Sequence, residues 1–129
     1  MIFGTFDGIH EGHLNLFKQA KSKGDYLIAV VGRDATVKKV KNRWPGLGEK
    51  ERAKNLRKYS DIDKVLLGGK GDPFKIIKRI KPDIICLGYD QNSFTQDLKK
   101  EIEVRKIKVK IVRLRAYKPK IYHSSKLKK

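Results

Sequence analysis

The sequence predicts an α/β fold in which helices flank a mostly parallel sheet of about five strands. The first observation is that short apolar runs, which suit buried strands, alternate along the chain with stretches of helical periodicity. The second is that the intervening stretches are long enough for the crossover helices that parallel strands need. The third is that glycine follows several of these runs, where it lets the backbone approach a ligand closely.

The first half of the chain opens on an apolar run and then shows Leu14, Phe17 and Ala20 at helical spacing. After Gly24 comes a near-continuous apolar run, which suits a buried parallel strand. In order, the predicted elements are a strand over 2–6, a helix over 11–23, a strand over 26–31, a helix over 35–41 capped by Asp34, and a loop over 42–48.

The second half continues the alternation, and basic residues alternate with Ile and Val in its last predicted strand, as in a half-exposed or edge strand. The whole chain, 1–129, is predicted to be one domain. In order, the predicted elements are a helix over 49–59, a strand over 63–67, a loop over 68–71, a helix from Pro73 to residue 80, a strand over 83–87, a helix over 94–106, a strand over 107–114, and a short helix over 126–129 capped by Ser124 and Ser125.

The charge of the chain points to anionic partners. It carries 32 Lys and Arg against 14 Asp and Glu, a formal net charge of +18. Such a field favours nucleotides, phosphorylated metabolites or nucleic acid. Because the basic residues are scattered along the chain instead of gathered in a block, a solvated surface explains them as well, and specific nucleic-acid binding is disfavoured.

The single cysteine and the lengths of the apolar runs indicate the cellular location to expect. Cys86 lies inside an apolar run, so we predict a buried thiol and neither a disulfide nor a nucleophile. The sequence contains no run of about 18 apolar residues and no leader with a cleavage site. We therefore expect a cytoplasmic protein with no membrane partner.

Residues 4–13 read Gly-Thr-Phe-Asp-Gly-Ile-His-Glu-Gly-His and stand at a predicted strand-to-helix junction. Such a junction offers backbone N–H groups and a helix N-terminus to a phosphate. His10 and His13 are three residues apart, so their imidazoles share one helix face and add donors or positive charge there. Zinc is disfavoured because Cys86 and His123 are distant in sequence, and the glycine spacing does not match a dinucleotide fingerprint. The junction therefore predicts a site for a nucleotide or another phosphate ester.

With residues 4–13 the chain resembles the cytidylyltransferase-type nucleotidyltransferases, whose signature is Gly-Thr-(Phe/Tyr)-Asp followed by His-x-Gly-His. Weaker similarities follow in the family's order at 32–34 (Gly-Arg-Asp), 49–52 (Glu-Lys-Glu-Arg) and 123–127 (His-Ser-Ser-Lys-Leu). The resemblance implies a Rossmann-like nucleotidyltransferase fold. It also implies transfer of a nucleoside monophosphate from a nucleoside triphosphate to a phosphorylated acceptor, with release of pyrophosphate.

The resemblance assigns roles to particular residues. As catalytic residues, His10 and His13 would donate to the α- and β-phosphate oxygens, and Lys38 or Lys39, with Lys41 as a third candidate, would neutralise the α-phosphate or the leaving group. No protein metal ligand is implied, because Mg²⁺ would bridge the triphosphate mostly through substrate oxygens and water. The implied nucleotide-binding residues are Gly4, Thr5, Phe6, Asp7, Gly12, Arg52, Gly88, Asp90, Ser124, Ser125 and Lys126.

The identity of the substrates follows from weaker similarities. Leu-Gly-Tyr-Asp-Gln at 87–91 and Arg-Asp-Ala-Thr-Val-Lys-Lys at 33–39 resemble the archaeal-type FAD synthase branch, which implies adenylyl transfer from ATP to FMN. One alternative is cytidylyl transfer from CTP to glycerol 3-phosphate or a similar small phosphate ester. Another is a non-catalytic nucleotide- or RNA-binding module. Relatives commonly pair, which implies a homodimer. Trp44 and Phe94 are candidates for a platform under the acceptor's ring, although core or loop packing is the simpler role for each.

Overall fold

Short strands and helices alternate from the first residues of the chain in a computed structural model that describes residues 1–72, 74–88 and 91–115. The side chains of residues 92–94 fall outside that description. In chain order the elements are β1 (Ile2–Gly4), α1 (Glu11–Ser22), β2 (Ile28–Val31), α2 (Asp34–Lys41), α3 (Glu49–Leu56), β3 (Lys64–Leu67), α4 (Lys75–Ile80), β4 (Ile84–Leu87), α5 (Asn92–Arg105) and β5 (Lys110–Arg113).

The strand order reverses between β1 and β4. All pairs are parallel: β1 with β2, β2 with β3, and β4 with β5. The Met1 nitrogen donates to the Ile84 carbonyl at 2.8 Å, and the Met1 carbonyl accepts from the Cys86 N–H at 2.9 Å, so β4 lies beside β1. The resulting order is β3-β2-β1-β4-β5. In open parallel sheets the ligand crevice lies beyond the carboxyl ends of the strands at such a reversal.

Helices cover both faces of the strands. Ile2 and Phe3 of β1 point to opposite faces because successive strand residues alternate. Ile2 belongs to a buried cluster with Phe17 of α1, whereas Phe3 belongs to a second cluster with Ile77 of α4 and Leu98 of α5. The predicted α/β class, with about five parallel strands flanked by helices, is therefore confirmed.

All five strands are shorter than the sequence predicts, and three of them by two residues or more. β1 ends at Gly4 instead of residue 6, because Phe6 adopts a left-handed conformation (φ 54°) that turns the chain out of the strand. β5 starts at Lys110 instead of residue 107, because Lys106 ends α5 in a left-handed conformation and the next residues lead back to the sheet. β2 starts at Ile28 instead of residue 26.

The helix ends also differ from the prediction. Asp34 is the first residue of α2 and not its cap; the N-cap is Arg33, which makes no side-chain cap bond. The Asp34 carboxylate pairs with Arg52 instead. α3 ends at Leu56 instead of residue 59, because the chain beyond it bonds in single turns, and α5 begins at Asn92 instead of residue 94.

The described residues include the buried thiol that the sequence predicts. Cys86 is buried, and this burial raises the pKa of its thiol. Within residues 1–72, 74–88 and 91–115, no helix is long and apolar enough to cross a membrane. The predicted features that lie outside the described residues are Pro73, Asp90, the caps Ser124 and Ser125, and the helix over 126–129.

Candidate active site

The loop between β1 and α1 begins at the reversal of strand order, and Gly4 and Phe6 determine its shape. The Phe6 ring folds back over Gly4, so that a Cβ on Gly4 would lie 2.8 Å from Cζ of Phe6 and only glycine fits. The ring is buried, with its centroid 5.9 Å from that of Phe17 and 6.0 Å, edge-on, from that of His13. Gly4 and Phe6 therefore shape the loop, and nucleotide contact by either stays a prediction.

His10 and His13 cap the N-terminus of α1 reciprocally. Nδ1 of His10 accepts from the Gly12 N–H at 3.0 Å, and Nδ1 of His13 accepts from the His10 N–H at 3.2 Å. This is a capping box in which histidines take the places usually filled by Ser or Thr and by Glu or Gln. The sequence interpretation missed these caps, although the spacing of an N-cap residue and its partner three residues later is the signal for them.

The two caps determine which nitrogen of each neutral imidazole carries the proton. Because Nδ1 accepts a hydrogen bond, the proton is assigned to Nε2. The ring centroids of His10 and His13 lie 4.0 Å apart with the planes inclined by 47°, so the two imidazoles lie close together. At the N-terminus of α1, whose dipole favours anions, the two imidazoles form a donor cluster suited to phosphate oxygens.

The carboxylate of Asp7 ties the β1–α1 loop to the α2–α3 loop, residues 42–48. It accepts from the Gly46 N–H at 2.6 Å and from the Leu47 N–H at 3.0 Å. The bond from Gly46 is the largest cause that holds the pKa of Asp7 below its ordinary value of 3.8. Asp7 is therefore a clamp between the two loops.

Arg52 lies fully buried between the same loops. Its Nη1 donates to the Thr5 carbonyl at 2.7 Å and its Nε to the Leu47 carbonyl at 2.9 Å. Its Nη2 donates to the Asp34 carboxylate at 2.6 Å. Because the side chain is 0% exposed, this geometry supports a role in positioning the loops, and direct nucleotide binding by Arg52 stays a prediction.

The network continues from Asp34 to the end of β3. Glu49 accepts from the Asp34 N–H at 2.9 Å and from Nη1 of Arg33 at 2.7 Å. The backbone bond from Asp34 is the largest cause that holds the pKa of Glu49 below 4.5. Nε of Arg33 also donates to the Gly68 carbonyl at 2.7 Å. The carboxyl ends of β1, β2 and β3 thus share one hydrogen-bonded frame.

Gln91 joins the carboxyl ends of β1 and β4. Its Oε1 accepts from the Gly88 N–H at 2.8 Å, and its Nε2 donates to the Phe3 carbonyl at 3.0 Å. Nη1 of Arg113 donates to the Gly88 carbonyl at 3.1 Å. Gly88, which is predicted to bind the nucleotide, is therefore held at the strand-order reversal. The sequence interpretation did not single out Gln91 as a bridge, because nothing in its spacing shows that it faces β1.

The other predicted residues lie around this frame or outside the description. Lys38 is half-buried and Lys39 exposed in α2, and neither ammonium pairs with an acid among the described residues. Thr5 lies in the β1–α1 loop, and Gly12 lies in the first turn of α1. The predicted residues outside the description are Asp90, Ser124, Ser125 and Lys126.

Two cavities of the described chain lie away from the β1–α1 loop. One of about 270 Å³ is lined by Arg57 and residues 62–65. The other, of about 230 Å³, lies at the amino ends of the strands, where Tyr26 and Lys81 line it. We locate the site at the β1–α1 loop and not in either cavity, because the donor cluster and the strand-order reversal coincide there.

Comparisons with known proteins identify the family of the chain. The model of the "Cytidylyltransferase-like" family matches residues 1–129. An FAD synthase of Ferroglobus placidus is 42% identical over 113 residues, which cover 88% of this chain and 73% of that protein. An FAD synthase of Pyrococcus horikoshii is 39% identical over 129 residues, 99% of this chain and 84% of that protein.

Solved structures share the fold of this chain. The crystal structure of a lipopolysaccharide core biosynthesis protein from Thermoplasma volcanium matches with a TM-score of 0.83 and 38% identity, covering 91% of this chain and 95% of that one. A pantoate-beta-alanine ligase from Francisella tularensis matches with a TM-score of 0.65 and 16% identity over 88% of this chain and 57% of that one, which is a likeness of fold alone. The chain belongs to the cytidylyltransferase-like family and is a nucleotidyltransferase.

Proposed function

We propose that this nucleotidyltransferase moves the adenylyl group of ATP onto the phosphate of FMN, forming FAD and pyrophosphate. The observation that carries the chemistry is the capped pair of imidazoles at the start of α1, where the strand order reverses. The choice of ATP and FMN is supported by the several relatives named FAD synthase at 39–42% identity over most of the chain.

In the proposed reaction an oxygen of the FMN phosphate attacks the α-phosphorus of ATP. The bond from the α-phosphorus to the bridging oxygen breaks, and pyrophosphate leaves with that electron pair. The acceptor phosphate is already ionised at neutral pH, so no general base is needed and catalysis comes from positioning and charge stabilisation.

The chain's own groups would supply that stabilisation. The Nε2–H groups of His10 and His13 donate to oxygens of the α- and β-phosphates, where negative charge grows in the transition state. The positive end of the α1 dipole lies at the same place and favours the same oxygens. Lys38 or Lys39 neutralises the α-phosphate or the leaving group. The proposed nucleotide contacts of Gly88, Asp90, Ser124, Ser125 and Lys126 complete the site.

A divalent cation, Mg²⁺ in our proposal, would supply charge neutralisation between the phosphates. Among the described residues no group of three or more His, Cys, Asp or Glu side chains is placed to hold a metal ion. The proposed cation would be held mostly by phosphate oxygens and water, as Mg²⁺ prefers. The homodimer and the cytoplasmic location likewise stay predictions from the sequence.

A substrate panel tests the proposal. The protein is incubated with Mg²⁺ and either ATP or CTP, each with FMN or glycerol 3-phosphate, and pyrophosphate and the nucleotide product are measured. We expect pyrophosphate and FAD only with ATP and FMN. Turnover only with CTP and glycerol 3-phosphate would replace the proposal with the cytidylyl alternative, and no turnover with any pair would contradict it.

A further inference from the structure

Trp44, in the α2–α3 loop, is the largest exposed apolar side chain among those that the structure describes. It is 62% exposed, and two apolar side chains of the same region, Val40 and Leu47, are exposed as well. Isolated exposed apolar residues are common, but an exposed indole is a side chain that is enriched at binding surfaces.

The position of Trp44 is restricted by the bonds of its own loop. Gly46 and Leu47 donate to Asp7, and the Leu47 carbonyl accepts from Arg52. Trp44 is two residues from Gly46, so its Cα lies within about 7.6 Å of that of Gly46, the length of two trans peptide units. Arg43, its neighbour in sequence, is near enough to Asp7 to lower the pKa of that carboxyl. Trp44 is therefore held beside the β1–α1 loop.

The positive charge near Trp44 indicates which kind of ligand this surface would bind. Three lysines of the last turns of α2, and then Arg43, precede it in the chain: Lys38, Lys39 and Lys41. A second copy of this chain would bring another net charge of +18 to this surface, which disfavours self-association there. The surface instead suits a small anion that carries a flat apolar ring.

We propose that Trp44 stacks on the isoalloxazine ring of the flavin acceptor while the acceptor's phosphate reaches the His10–His13 donors. This inference rests on the proposed function, because FMN combines a phosphate, a flexible ribityl chain and a flat ring. Stacking on an indole is tolerant of ring chemistry and strong enough to change the affinity for such a ligand measurably.

Fluorescence titration tests the inference, because FMN emission is quenched when an indole stacks on the isoalloxazine. Trp44 is the chain's sole tryptophan, so a change in quenching has one source. We expect Trp44→Ala to abolish the quenching and to raise the Kd and KM for FMN about 10- to 100-fold. The Kd for ATP should change less than about twofold. Trp44→Phe should recover much of the FMN affinity. The matched control is Tyr26→Ala, which truncates an aromatic side chain 58% exposed at the other end of the strands.

The outcomes separate the inference from the proposed function. If the wild-type protein forms FAD and Trp44→Ala keeps the wild-type KM for FMN, the stacking is contradicted and the function stands. If Trp44→Ala lowers the unfolding temperature by several degrees, another part of the chain covers the indole and the inference falls. If the wild-type protein forms no FAD, both fall together.

Discussion

The two ring nitrogens of His10 and of His13 have different roles. Nδ1 of each accepts a backbone hydrogen bond at the start of α1, and this leaves Nε2 as the nitrogen that carries the proton. One side chain therefore both stabilises the helix N-terminus and orients a donor toward the proposed phosphate site. An Ala substitution removes both contributions at once.

Substitution of His10 separates these two contributions. His10→Ala should lower the stability by about 1 kcal/mol through loss of the cap and lower kcat about 10²- to 10³-fold through loss of a transition-state donor. His10→Asn keeps a side-chain oxygen for the Gly12 N–H, so its stability should recover while kcat stays low. Urea unfolding and steady-state kinetics, with the ATP Kd measured separately, check this. Full kcat in His10→Asn would contradict the donor role.

Individual residues could be predicted from the sequence only where a short local pattern carries the chemistry. The two histidines and the glycines of residues 4–13 form such a pattern. Arg52 and Gln91 do not, because their roles depend on partners distant in sequence, Thr5 for one and Phe3 for the other. The same holds for Asp34, which is a good cap by residue type but pairs with Arg52 instead.

Among the elements, the β1–α1 and α2–α3 loops behave as one unit. The exposed carboxylate of Asp7 accepts from two N–H groups of the α2–α3 loop, and the buried Arg52 donates to one carbonyl of each loop. Both loops are short, and apart from the buried Phe6 their residues are exposed or half-buried. Their relative position therefore depends on these few charge-assisted bonds, which are stronger than neutral ones.

The clamp at Asp7 predicts a dependence of stability on pH. The pKa of Asp7 is lower in the folded protein than its ordinary value of 3.8, chiefly because Gly46 donates to the carboxylate. The stabilisation is therefore present above about pH 4 and is lost as the pH falls through the folded pKa below that. Asp7→Asn should cost about 1 kcal/mol at pH 6 and less at pH 3, measured by urea unfolding at both pH values.

An exposed carboxylate provides the comparison for Asp7. Asp97→Asn in α5 should change the stability by less than about 0.5 kcal/mol at either pH. An Asp7→Asn variant that is destabilised equally at both pH values would show that the carboxylate charge has no part in the clamp.

At the scale of the whole molecule, the strand order places the β1–α1 loop beside Gly88. β1 and β4 are neighbours at the reversal, so the β1–α1 loop and Gly88 both lie at the carboxyl ends of these central strands. The sequence predicts the α/β class and every strand, because apolar runs and helical spacing are local signals. It does not predict that β4 pairs beside β1, because that contact joins residues far apart in the chain. The single-domain organisation of 1–129 stays a prediction.

The net charge of +18 acts at the same scale. It attracts ATP and FMN, both anions, without choosing between them and other phosphate esters. Selectivity for ATP and FMN over other phosphate esters must therefore come from short-range contacts at the site. Because charge gives affinity for many anions, the decisive observation is the transfer of the nucleotide and not the binding of a substrate.

The most direct test of the account follows the phosphorus atoms of ATP. The protein is incubated with FMN and with ATP labelled at either the α- or the γ-phosphate, and the flavin product is isolated by chromatography. The account predicts that the α-label appears in FAD, that the γ-label appears only in pyrophosphate, and that His10→Ala loses most of the transfer. A γ-label on the flavin, or no label on it from either ATP, would contradict nucleotidyl transfer to FMN at this site.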